Sequence, residues 1–170
     1  MENKKNVLVL HLINALLFLL LFLIQYNGAF SIKILTATPM LPLALLISIC
    51  MFCSELRGAL TGLVVGIFLD GVTSTPQGFN ALTFCFLGLA AVLVIKHLFN
   101  NNILSAVSLC ALCSLFYFVL RWIISLSVSL SFTENLTYLM GIILPSCLYT
   151  GIFIIPFYYF EKLLYKKYNK

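Results

Sequence analysis

Charge is what this sequence has least of. Only 9% of its 170 residues are charged, against 62% hydrophobic and a mean hydropathy of +1.11. Soluble domains carry about a quarter charged residues, so the composition requires burial in lipid. A basic stripe is also missing. The net charge of +5 comes from lysines scattered near segment ends, which argues against nucleic acid as a partner. There is no Ser/His/Asp grouping, H-E-x-x-H or phosphate loop on which to build an enzyme. Nor is there an A-x-A-like end to the first apolar run, so an uncleaved first helix is expected.

What is present is apolar sequence in lengths that suit a bilayer, where a spanning helix needs about 20 residues. Six hydrophobic segments are predicted, at 7–26, 39–53, 56–70, 78–95, 103–127 and 136–160. They make one polytopic domain over 1–170, an all-α integral membrane protein of about six transmembrane helices. The second opens on Pro39 and Pro42, which suit a first helical turn. The sixth holds Gly141, Pro145, Gly151 and Pro156, so a kink or break is expected there. Six crossings put both termini on one side. Lys4, Lys5, Arg57, Lys96, Lys162, Lys166, Lys167 and Lys170 gather on that side, and the positive-inside rule makes it cytoplasmic.

The most informative stretch runs from Glu55 to Leu82. Gly58, Gly62, Gly66 and Asp70 follow one another at intervals of four, which on a helix gives a bare ridge capped by a carboxylate. Glycine costs about 1 kcal/mol against alanine in a helix, so three in register suggest a second helix lying close. That helix belongs either to this chain or to a partner. The third segment is short, about 22 Å at 1.5 Å per residue. Either the bilayer thins around it, or it stops within the membrane with Asp70 in a protein-lined pocket. Gly78 and Asn80 follow in the next turn, and Asn80 either caps the fourth helix or donates to Asp70.

Asp70 and Arg121 are the ionisable groups placed inside apolar segments, and a buried ion pair between them is geometrically allowed. The competing reading leaves each near the outer headgroups, with Arg121 snorkelling beside Trp122. Cys50/Cys53 and Cys110/Cys113 have zinc-like spacing. Each pair, however, sits in an apolar helix where cysteine packs as a small hydrophobe, and neither a metal nor a cofactor is expected. His11 and His97 read as interfacial. Serines at 125, 127, 129 and 131 alternate, leaving two readings open: an extended outer segment or continued helix.

Gly62, Gly66 and Asp70, then seven residues, then Gly78, Asn80, Ala81 and Leu82, resemble the signature region of the rod shape-determining protein MreD family. The proline-led second segment, P-x-x-P-L-A-L, is similar too. Asn80 stands where the family often has histidine, and Lys96-His97 is a less basic end to the fourth helix than usual. The resemblance implies a non-enzymatic, cofactor-free scaffold of the bacterial cytoplasmic membrane with both termini cytoplasmic. It would bind MreC through that protein's membrane helix and extracytoplasmic domain. Through MreC it would reach RodA, a class B penicillin-binding transpeptidase and, on the inner side, MreB. It also implies a fold similar to the substrate-binding subunit of energy-coupling-factor transporters. Such a vitamin-binding subunit is the alternative function, and an intramembrane enzyme a distant third.

Overall fold

The computed structural model describes residues 2–26, 38–73, 76–97, 101–125 and 139–168. All regular structure among them is helical: α1 (Glu2–Tyr26), α2 (Leu41–Cys50), α3 (Glu55–Asp70), α4 (Phe79–His97), α5 (Ile103–Ser125) and α6 (Leu144–Tyr168). A π-helical turn, Leu139–Ile143, leads into α6. Four helices contain stretches long and apolar enough to cross a membrane: Val9–Tyr26, Phe79–His97, Ile103–Ile124 and Met140–Tyr168. The protein is an all-α membrane protein.

The centre of the fold is its shortest helix. The sequence of α2, LPLALLISIC, is apolar all round, and all ten residues are buried. A helix with no polar face must be surrounded, and α2 packs on α1, α3, α4, α5 and α6. At about 15 Å it is half a bilayer deep, a core helix and not the longer span expected at 39–53. Its backbone ends are closed by side chains from other parts of the chain. The Met40 N–H donates to Thr150 Oγ1 of α6 (3.1 Å) and the Leu41 N–H to Gln25 Oε1 of α1 (3.0 Å). Pro42 has no N–H to satisfy. At the far end Asn101 Nδ2 donates to the Met51 carbonyl (2.9 Å), and the Tyr158 hydroxyl donates to the Asn101 carbonyl (3.2 Å).

α6 runs unbroken through Pro156 to Tyr168, so the helix expected at 136–160 lies eight residues further along at its end. The irregularity falls earlier, in the π turn. Pro145 removes the N–H that would bond back to Gly141, four residues before it, and the helix widens there. Pro156 is exposed and faces outward, where the lost bond disturbs no neighbour. The serine alternation lies, beyond Ser125, outside the described residues.

Candidate functional site

α3 and α4 form an antiparallel pair whose contacts step four residues forward on one helix and four back on the other. Gly58 meets the Gly88 carbonyl and Val92, Gly62 meets the backbone of Phe84, and Gly66 meets the backbone of Asn80 and Ala81. A Cβ at Gly62 or Gly66 would overlap the facing carbonyl oxygen, so only glycine allows this approach. All three glycines are buried. The ridge is therefore covered by this chain's own α4. Gly88 is the reciprocal position, since a Cβ there would strike the Gly58 carbonyl. It was not singled out from sequence, although a small residue one turn before Ala91 and Val92 was the available signal.

At the upper end of this pair the two helices are joined by a short turn, and Asp70 closes it. Its carboxylate accepts the backbone N–H groups of Gly78 (3.1 Å), Asn80 (3.0 Å) and Ala81 (3.1 Å). The Phe79 N–H goes to the Pro76 carbonyl (3.1 Å). The free amides at the start of α4 are thus satisfied, and the anion sits at the positive end of the helix dipole. Gly78 has φ +87°, a left-handed conformation that glycine adopts without strain and that turns the chain back onto the carboxylate.

Asn80 does donate to Asp70, through its backbone N–H, while its side chain reaches other described residues. Asn80 Nδ2 donates to Thr73 Oγ1 (2.8 Å), and its Oδ1 accepts from the Tyr117 hydroxyl of α5 (2.9 Å). Thr73 Oγ1 in turn donates to the Leu69 carbonyl (2.8 Å). Asn80 and Tyr117 are both fully buried. One continuous chain of hydrogen bonds therefore ties the end of α3 to the start of α4 and to α5, with Phe84 set edge-on against the Tyr117 ring (5.4 Å between centroids).

The Asp70–Arg121 ion pair allowed by the sequence does not form. Both oxygens of Asp70 are taken by amides of the α4 terminus, and the ion pair among the described residues is Lys96–Glu55 at 2.7 Å. That pair joins the start of α3 to the end of α4 on the opposite side. Tyr117 was not picked out from sequence, nor were Asn14 and Glu161. Asn14 Nδ2 donates to Glu161 Oε2 (3.4 Å), linking two buried residues 147 positions apart. The available signal was an amide and a carboxylate each set among apolar neighbours in its helix.

The cysteine pairs stay apart from any such chemistry. Cys50 Sγ points at the Gly88 carbonyl (3.6 Å) and Cys110 Sγ at the Thr150 carbonyl (3.7 Å). Among the described residues no three His, Cys, Asp or Glu side chains gather as a metal would require. The arrangement brings together backbone, helix ends and neutral hydrogen-bonding groups. It can hold helices in one register, and what it offers chemically is rigidity.

The family model for rod shape-determining protein MreD matches residues 5–168. The chain belongs to the MreD family. The match spans α1 to α6, so the sealed turn and glycine seam described above belong to the family's domain and not to an appendage. Membership gives the protein a role in rod shape determination and an association with the cell-shape machinery. The family is one of shape-determining structural proteins and not a known family of enzymes. No curated protein and no solved structure matches the chain.

Proposed function

We propose that this MreD-family protein is a non-enzymatic scaffold in the bacterial cytoplasmic membrane that binds MreC. Through MreC it couples the wall synthases, RodA and a class B penicillin-binding transpeptidase, to MreB filaments. The observation that carries this reading is the match to the MreD family over residues 5–168. Both termini are cytoplasmic in this proposal. Arg57 and Lys96 lie at the α3 start and α4 end, on the side of the Glu55–Lys96 pair, and lysines 162, 166 and 167 follow at the end of α6.

In this reading Gly58, Gly62, Gly66, Asp70, Gly78 and Asn80 serve the partner indirectly. They fix α3, α4 and α5 as one rigid body, and MreC reads the outer surface of that body. Affinity purification from native membranes tests the proposal. MreC and elongation synthases should accompany the wild-type protein, while Gly62→Leu should lose them and round the cells. Recovery of a transporter ATPase in place of MreC would sink this reading.

A further inference from the structure

α1 packs on α2 and α6. Between α1 and α3 it leaves a groove of about 720 Å³, floored by Pro42 and Ile49 of α2. Its walls are apolar, with Ala15, Phe18 and Phe22 on one side and Val64, Val65 and Phe68 on the other. Its polar groups gather toward one end: His11 and Asn14 from α1, Arg57 and, one turn further in, Thr61 from α3, and Tyr165 from α6. That is the end that carries the chain termini, on the cytoplasmic side in the orientation proposed above.

Length decides what kind of molecule fits. The lining of α1 runs from His11 to Leu23, about 18 Å of helix, close to the roughly 15 Å depth of one leaflet. A partner helix crossing the whole bilayer, about 10 Å wide and 30 Å long, would need roughly three times the groove's volume. An acyl chain of one leaflet fits both dimensions. Charge then specifies the headgroup. The exposed Arg57 side chain makes no hydrogen bond or ion pair with a described residue, and guanidinium is the side chain best shaped for phosphate. Beside it Asn14 Oδ1 is buried without a donor, and so is Glu161 Oε1 behind it. Asn14 is 6% exposed and Glu161 0%. Arg57 and Glu161 are both near enough to Tyr165 and Cys53 for their charges to be felt there. An exposed cation that makes no ion pair, close to a buried acceptor without a donor, is the complement of a headgroup bearing a phosphate and a terminal amine.

We propose that the α1–α3 groove holds one phospholipid of the cytoplasmic leaflet. Its phosphate sits on Arg57, its amine donates to Asn14 Oδ1, and an acyl chain lies between Phe18 and Val64. The assignment of leaflet rests on the orientation proposed above, and lipid occupancy does not depend on MreC.

The full-length protein, extracted from a membrane of phosphatidylethanolamine and phosphatidylglycerol, is examined by native mass spectrometry for retained lipid. It is then re-exposed to nanodiscs of phosphatidylethanolamine, phosphatidylglycerol or phosphatidylcholine. One phosphatidylethanolamine per chain is expected, with Arg57→Gln lowering retention about tenfold, as loss of a charge-assisted contact does. Ala15→Trp fills the groove and should abolish retention. If that variant fails to fold, Leu19→Trp at the exposed rim provides the same block. Equal retention of phosphatidylcholine, whose headgroup has no N–H, would overturn the proposal. So would retention untouched by Arg57→Gln, or crosslinks from Leu19→Cys to a protein helix in place of lipid. If MreC still co-purifies while no lipid is found, the lipid inference alone falls.

Discussion

α3 has two flanks, and they are built to opposite rules. Toward α4 it offers Gly58, Gly62 and Gly66, and backbone meets backbone with no room for a methyl group. Toward α1 it offers Leu60, Val64 and Phe68, all more than half exposed, and the neighbouring helix stands off. In lipid both arrangements are allowed, because apolar side chains lose little by facing acyl chains in place of protein. What drives tight association there is close packing together with hydrogen bonds that have no water to turn to. The α4 flank has both. The α1 flank has only apolar bulk until its polar end, so it can be opened and filled.

The sharpest way to break the contrast is to put a side chain into the seam. Gly62→Leu should cost about 3 kcal/mol or more, since overpacking of a rigid backbone contact cannot relax. The readout is unfolding of the purified protein in detergent or bicelles. Val64→Leu on the other flank should be near neutral, and equal damage from both would dissolve the distinction.

Next in size is the acid that closes the turn. Asp70→Ala leaves the amide of Gly78 and two amides of α4 without an acceptor, at about 1–3 kcal/mol for a buried group left unpaired. Hydrogen exchange at Asn80 and Ala81 should rise before global unfolding. Unchanged protection there would show that the carboxylate does not hold the helix start.

Tyr117→Phe removes one hydrogen bond and keeps the ring, so about 1 kcal/mol is expected. Cutting Asn80→Ala as well should add less than its single effect, because both act on one contact.

The smallest effect belongs to Glu55–Lys96, an exposed pair. Hydrogen bonding to Lys96, and then its charge, lowers the Glu55 pKa from the usual carboxylate value. Its contribution is therefore present above the unfolded pKa and lost as pH falls through the folded one. Lys96→Ala should leave the melting temperature unchanged at neutral pH and remove only that faint acid-side dependence. A large shift would mean that the pair, and not the glycine seam, clamps the lower end of the hairpin.

Much of this was legible in the chain. The spacing of Gly58, Gly62 and Gly66 is local and survives any fold, so the ridge and its terminal acid could be read directly. The partner of Asp70 could not. A carboxylate at a helix end satisfies itself equally well with an arginine or with the next helix's amides, and the left-handed turn at Gly78 decided between them. α2 looked like a spanning segment because hydropathy cannot separate a helix facing lipid from one facing five other helices. The contact of Asn14 with Glu161 was not legible, since nothing in either neighbourhood reveals a partner 147 positions away.

By itself the sequence determined that this protein lives in a membrane, is built of helices and carries one smooth glycine face that leads to an acid. Those properties follow from composition and from spacing within a single helix. Tertiary structure decided which helix covers that face, where the acid's hydrogen bonds go and which flank is left open. These depend on long-range pairing of groups that, inside lipid, have only one another to satisfy.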